Sequence, residues 1–310
     1  MSATTARERP PLAREPGSTA PTRRRRPSGL LWLTAPSLAW FAFFTLGPLA
    51  GILVIATLDW RGLIYTPHFV GFDNVVRVFS DETFYAALRN SAVQLLIVIP
   101  VMMPLAFMLG YFLNSKPRGY RLLSILFFTP GLISISIKGT IFYGVLAPNG
   151  GLNGIFEAIG LGALKTAWLA DPATALGAVM GIDLWSGIGF TAVLFAARLS
   201  SLSPEVLEAA DLDGASQTRK MWGIAFPMIK DYFGTLTMLQ FLWTLFTSAA
   251  LILILTKGGP GTSTTTLSFL VYQKAFSQQD LGYSQVVGVV LLILGVAGML
   301  GIRRLFRPTF

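Results

Sequence analysis

The sequence predicts an all-α fold that crosses a membrane six times, and three observations carry that expectation. Of the 310 residues, 53% are hydrophobic and only 13% are charged, whereas a soluble domain carries roughly a quarter charged residues to cover its surface. The apolar residues fall into six runs, each near the roughly 20 residues that span a bilayer as a helix. The runs are continuous and lack the alternation of a membrane β-barrel, and helices and closed barrels are the structures that satisfy every backbone group in lipid.

Taken in order, residues 1–28 are rich in Pro, Ser, Thr and Arg, include Arg23, Arg24, Arg25 and Arg26, and show no apolar periodicity. A disordered basic tail is expected there. The first apolar run, 30–58, far exceeds the roughly 7–15 apolar residues of a secretory signal and reads as an uncleaved span. Further spans are expected near 90–113, 122–146, 173–197, 232–255 and 283–302, so that 29–310 forms one transmembrane domain. Gly47-Pro48, Pro100, Pro104 and Thr129-Pro130-Gly131 fall inside these runs and predict kinks.

The net charge of +9 points to nucleic acid in a soluble protein and to orientation in a membrane protein, and its distribution decides between them. The tail, the loops after the second and fourth spans and the C-terminus hold seventeen of the 24 Lys and Arg residues, against six on the opposite side and Lys138 within a span. Basic residues concentrate on the cytoplasmic side, so both termini are expected there and no nucleic-acid partner is expected. The chain has no cysteine and a single histidine, His68, which leaves no thiolate or histidine metal cluster and no cysteine nucleophile. It also lacks a Gly-rich nucleotide-binding loop ending in Gly-Lys-Ser or Gly-Lys-Thr.

The cytoplasmic loop, 199–231, is the most informative segment. Ser203 stands where a helix N-cap is expected with Pro204 as the first helical residue, Glu205 and Glu208 lie near the positive end of the helix dipole, and Gly214 ends the helix. Within it Glu208-Ala209-Ala210 is followed by three residues, Gly214, nine residues, Ile224, two residues and Pro227. This pattern resembles the signature loop of binding-protein-dependent ATP-binding-cassette importers, with Phe226 standing where that family usually has leucine. The resemblance implies a short coupling helix that docks on a cytoplasmic ATPase. In that role Ala209, Ala210 and Ala215 permit close approach, Gly214, beside Asp213, supplies a turn, and Glu208 offers a carboxylate.

The likeness extends over nearly the whole chain beyond the tail. It narrows to the carbohydrate-uptake branch through Phe69-Val70-Gly71-Phe72-Asp73-Asn74, Pro148-Asn149-Gly150-Gly151-Leu152-Asn153 and Leu255-Thr256-Lys257-Gly258-Gly259-Pro260. It implies a permease subunit of the bacterial plasma membrane that imports a sugar by alternating access. The implied partners are a second, non-identical permease subunit, two ATPase copies that carry ATP and magnesium, and an extracytoplasmic solute-binding protein. The chain itself then binds no cofactor and is not an enzyme. The rival readings are half of an ion-driven secondary transporter, which would show inverted repeats, and an importer permease for a non-sugar solute.

The residues expected along the solute pathway lie in the fourth and fifth spans. Asp183, Trp185, Ser186, Gly187 and Phe190 mix a carboxylate, aromatic rings and glycine at membrane depth, which suits a sugar's hydroxyls and C–H faces. The same glycines also serve helix packing, with Trp185 as an interfacial anchor. Gln240, Trp243, Thr247 and Ser248 share overlapping faces of one helix. Lys138 and Asp183 are charges at membrane depth, which face a bundle interior or an aqueous cavity and here have each other as candidate partners. The external stretch 261–280 is either a contact for the solute-binding protein or a solvated connector.

Overall fold

A computed structural model describes residues 29–62 and 64–307, so the expected tail lies outside the described residues. The chain divides into two units at residues 49 and 50. The first holds helix α1 (Gly29–Phe41), a π-helical turn, Ala42–Leu46, and the start of helix α2 (Gly47–Ala56), whose residues from Ala50 on belong to the second. The Gly47 N–H donates to the Ala42 carbonyl, five residues back. Pro48 has no N–H to offer Phe44, and its ring would crowd that carbonyl in a regular helix. The wide turn relieves both problems, so this expected breaker becomes a π-bulge.

In the second unit a two-residue ribbon comes after α2, with β1 (Leu58–Asp59) pairing antiparallel with β2 (His68–Phe69), so His68 sits on a short exposed strand. Helix α3 (Asp73–Phe79) leads to α4 (Glu82–Asn114). Helix α4 begins eight residues ahead of the expected start, because the Asp81 carboxylate caps it by accepting from the Thr83 N–H at 2.8 Å. It passes both Pro100 and Pro104 without ending. Two helices follow, α5 (Tyr120–Leu132) and α6 (Ile135–Val145), and they meet at 96°.

The single span expected at 122–146 is therefore broken. The break falls not at Pro130, which stays inside α5, but at Ile133 and Ser134, whose backbone is extended. The Ser134 hydroxyl there accepts from the Ile137 N–H and starts a new helix.

The remaining elements are α7 (Gly151–Ala158), α8 (Ala175–Leu199), α9 (Pro204–Leu212), α10 (Gln217–Arg219), α11 (Phe226–Met228), α12 (Lys230–Leu255), α13 (Leu267–Tyr272) and α14 (Leu281–Leu305). A π-helical segment, Lys220–Ala225, joins α10 to α11. Among the described residues five helices are long and apolar enough to cross a membrane, and the bent pair makes a sixth.

Helices α4 and α8 form the central pair, and glycine brings the backbones together. A Cβ on Gly110 would lie 2.6 Å from the Ala192 carbonyl oxygen, and one on Gly189 would overlap the Phe127 carbonyl of α5. Near one end of the bundle, Phe107, Phe195 and Phe233 bring α4, α8 and α12 into one aromatic cluster, with ring centroids 5.3 Å apart for Phe195 and Phe233.

At the other end, the buried Asn74 amide donates to the carbonyls of Ala56 and Leu58, at 3.0 and 2.9 Å, and so fastens the end of α2 to α3. The Gly-Phe-Asp-Asn motif is thus a structural corner, with Gly71 at φ +60° making the turn. Of the stretch 261–280, Gly261, Thr262 and residues 276–279 are exposed, and the part between them is packed into the bundle. Thr264, Thr265 and Thr266 are buried, and Asn90 of α4 donates to the carbonyls of Thr262 and Thr265. The Thr264 and Thr265 hydroxyls donate to the Gly259 and Gly258 carbonyls and the Thr266 hydroxyl bonds those of Ser248 and Ser268, which is what lets an irregular segment enter the bundle.

Asp81 joins this end together, since besides capping α4 it accepts from the Tyr283 hydroxyl at 2.8 Å and lies 3.8 Å from Lys274. Burial pushes its carboxyl up, but the Tyr283 and Thr83 hydrogen bonds and the Lys274 charge outweigh that and hold it below its ordinary value. A carboxyl lowered by folding contributes stability that is present above its unfolded pKa, about 3.9, and is lost as pH falls through the folded value. The unfolding midpoint in detergent should therefore drop on acidification below about pH 5, and Asp81→Asn should flatten that part of the profile; identical slopes would exclude the role.

Candidate functional site

A cavity of about 250 Å³ lies where the α5/α6 break, α8 and α12 meet. Its position follows from helix spacing. Asp183, Gly187 and Phe190 recur at i, i+4 and i+7 on α8, and Leu236, Gln240 and Trp243 do so on α12, so each triplet shares one face. The break contributes Gly131, Ile135 and Lys138. Of the residues expected along a pathway, Asp183, Ser186, Gly187, Phe190, Gln240, Trp243 and Lys138 line this cavity.

Three expected residues do not. The Trp185 ring packs edge-on against Phe142, with centroids 5.1 Å apart. Thr247 donates back to the Trp243 carbonyl at 2.6 Å, and the buried Ser248 hydroxyl is engaged by Thr266 and Ser268 at 3.0 and 2.8 Å. A hydroxyl on an apolar helix takes whichever acceptor is nearest, and for these two that is backbone or the buried start of α13.

Lys138 and Asp183 share the cavity, but the ion pairs of the described residues do not include the two together. Asp183 is held from behind by Gln94 of α4, whose amide donates to Oδ2 at 2.9 Å while its own Oε1 has no partner among the described residues. The bond to the carboxylate thus sets the amide's orientation. Gln94 was not singled out from the sequence, although a glutamine in an otherwise apolar span is the signal that finds it. Ser186 donates to the Ile182 carbonyl at 3.0 Å, so its oxygen is free to accept. Phe190 stacks on Phe128 at 5.4 Å, whereas Trp243 is 60% exposed. The arrangement offers an ammonium, a carboxylate, an amide and an open indole face inside an otherwise apolar enclosure.

The 208–227 loop is built in two parts. Helix α9 starts with Pro204 after Ser203, whose hydroxyl makes no capping bond. It ends in a Schellman motif: the Ala215 N–H donates to Ala210, the Gly214 N–H donates to Asp211, and Gly214 has φ +72°. A Cβ on Gly214 would meet open space, so the demand for glycine comes from its own backbone conformation and not from a neighbour. The second part is rooted in the bundle, with Met221, Ala225 and Ile229 buried beside Phe107 and Phe195. Its π segment precedes Pro227 as the first one precedes Pro48, with the Phe226 N–H donating to Met221, five residues back.

A buried lysine joins the two parts. Lys220 of the π segment is ion-paired with Asp211 on α9, a contact the sequence reading missed by counting Lys220 only as a topology charge. Glu208, Ala209, Asp213 and Gly214 are exposed, Ala215 and Ile224 are half-buried, and Pro227 is exposed. Ala210 is buried within its own chain and is not available for close approach by a partner. Leu212, also not anticipated, is 91% exposed beside Glu208 and Asp213.

Residues 90–310 match the inner membrane component of binding-protein-dependent transport systems. The chain belongs to this family. It is 35% identical over 304 residues to the diacetylchitobiose uptake system permease protein of Streptomyces coelicolor, covering 93% of this chain and 86% of that one. It is 30% identical over 276 residues to the multiple sugar-binding transport system permease protein of Streptococcus mutans, covering 89% and 94%. The fold matches a chain of the bacterial alginate ABC transporter with a TM-score of 0.77 at 22% identity, over 90% of this chain and 93% of that one. This inner membrane component is thus a polytopic permease of the bacterial plasma membrane that works with a solute-binding protein and an ATPase.

Placing alanine at Gly214 forces an L-residue into the left-handed region at a cost of about 1–2 kcal/mol. Gly214→Ala in this permease should accelerate amide exchange at residues 214 and 215 by roughly five- to thirtyfold while α8 and α12 stay protected; unchanged exchange would mean that the Schellman turn does not hold α9.

Proposed function

We propose that this permease supplies one half of a sugar-conducting pore. A non-identical permease subunit supplies the other half, and two ATPase subunits bind ATP and magnesium and do the hydrolysis, so this chain is a transport subunit without catalysis of its own. The observation that carries the substrate class is the cavity, in which Trp243 offers an aromatic face while Asp183, Gln240 and Lys138 offer acceptors and donors. Sugars have this mixed surface, with apolar C–H faces between hydroxyls. The names of the diacetylchitobiose and multiple-sugar relatives support the same class.

The cavity holds about 250 Å³, less than the roughly 300–1,000 Å³ of ordinary small-molecule sites. An oligosaccharide therefore passes only when its walls separate, which is the alternating-access reading. The force enters at the 208–227 loop on the cytoplasmic side, through Glu208, Ala209, Asp213 and Gly214 against the ATPase. Ala210, Ala215 and Ile224 shape the loop from within, and the exposed Pro227 shapes it through its missing N–H.

The test uses the assembled transporter in proteoliposomes with its binding protein. Asp183→Asn and Trp243→Ala should each lower sugar uptake about tenfold or more, the cost of losing a charge-assisted hydrogen bond or a stacking face, with the ATPase still attached. Glu208→Lys should instead detach or uncouple the ATPase and leave the bundle folded. Full uptake in the first two variants would remove the cavity from the pathway; full uptake in the third, or uptake by the chain without any ATPase, would remove the loop from the power stroke.

A further inference from the structure

A second groove, lined by residues of α12 that the cavity does not use, lies at the membrane-boundary ends of α12 and α14 and has a volume of about 390 Å³. We propose that it binds the phosphate headgroup of an anionic phospholipid. Gly234 has no side chain, and Phe306 rests on it: a Cβ there would lie 2.5 Å from the Phe306 Cβ. The Phe306 ring also contacts Phe233, with centroids 5.3 Å apart. This seating fastens the end of α14 to α12 and sets Arg303, in the last turn of α14, and Arg307, just beyond the helix, on the rim of the groove.

Neither arginine, nor Arg304 beside them, has a hydrogen bond or ion pair among the described residues. Asp231 also borders the groove, and among the described residues it is likewise not paired with either guanidinium. Its charge is outweighed by Arg303 and Arg307, with Lys230 and Arg304 adjacent in sequence. Thr235 donates to the Asp231 carbonyl at 2.9 Å, so the donors left for a ligand are the guanidiniums.

Met238, two turns into α12, and Phe306 give the groove an apolar wall, and the two guanidiniums stand where α12 and α14 leave the apolar span. A guanidinium fork matches phosphate oxygens, and basic pockets between transmembrane helices suit anionic headgroups. Arginine at a helix C-terminus also complements the dipole and fixes orientation. Neither of those roles calls for a groove with an apolar wall and unpaired guanidiniums on its rim. Inorganic phosphate shares the headgroup's chemistry but gains nothing from Met238 and Phe306.

The test is native mass spectrometry of the full chain in detergent, titrated with phosphatidylglycerol, with phosphatidylcholine of the same acyl chains, and with inorganic phosphate. Phosphatidylglycerol should be retained and the other two should not. Arg303→Gln with Arg307→Gln should weaken phosphatidylglycerol binding about thirtyfold, with an unchanged unfolding midpoint in phosphatidylcholine micelles. Arg303→Lys with Arg307→Lys should keep most of the binding. Equal retention of both lipids, or undiminished phosphatidylglycerol binding in the glutamine pair, overturns the proposal. Phosphate retained as tightly as phosphatidylglycerol would make this a free-anion site. If the glutamine pair keeps its lipid yet loses the ATPase from the assembled transporter, the groove is a protein contact and the lipid site is excluded.

Discussion

The constraint on which the rest of the structure depends is that a backbone group in the bilayer core has no water to turn to. Wherever the chain leaves a regular helix, a specific partner replaces the missing bond. Ahead of Pro48 and again ahead of Pro227, the residue before proline reaches back five positions, and a π turn absorbs the lost donor. At the α5/α6 break, the Ser134 side chain starts the second helix. In the buried stretch before α13, Asn90 takes the Thr262 and Thr265 carbonyls and Ser91 accepts from the Leu267 N–H. Each departure therefore has a geometry imposed by its partner, and the break in the third span is the one that places Lys138 in a cavity.

The same helices carry both candidate sites. Helix α8 bears Asp183 and Phe190 at the cavity and, within two turns, Phe195 in the aromatic cluster; α12 bears Gln240 and Trp243 at the cavity and Phe233 in that cluster. The second half of the 208–227 loop is packed into the cluster through Met221, Ala225 and Phe226, and the Lys220–Asp211 pair ties α9 to it. Rigid elements and packed rings thus run without interruption from α9 to the helices of the cavity, the physical requirement for a mechanical link between distant sites.

The spans were legible because a bilayer imposes length and hydropathy, and the end of α9 was legible because a Gly near a helix terminus has few other uses. The shared face of Gln240 with Trp243 followed from helical periodicity alone, whereas Asp183 and Phe190 are grouped by residue type. What was not legible depends on partners remote in sequence. Ser248 sits close to Trp243 in sequence, yet its hydroxyl is claimed by Thr266 and Ser268. Gln94 acquires its role from Asp183, 89 positions away. Thr264, Thr265 and Thr266 look hydrophilic, but their hydroxyls are bonded internally and all three are buried. The break at Ile133 and Ser134 was misplaced onto Pro130 because a proline in a long helix is tolerated where its neighbours close around it.

The position of that break also determines how the cavity can open. Helix α5 is keyed to α8, since Gly131 lies against Phe190, with a would-be Cβ 2.6 Å from the Phe190 Cβ, and Gly189 lies against the Phe127 backbone. Helix α6 is keyed instead to α12, since a Cβ on Gly139 would come within 2.8 Å of Ile254. The two halves of the broken span thus belong to opposite walls of the cavity, and contacts this close resist sliding. Any separation of α8 from α12 carries α5 one way and α6 the other, and the change must be absorbed at Ile133 and Ser134, the non-helical link between them. A straight third helix would have clamped the walls together. The broken one lines the cavity with Lys138 and leaves the walls free to part.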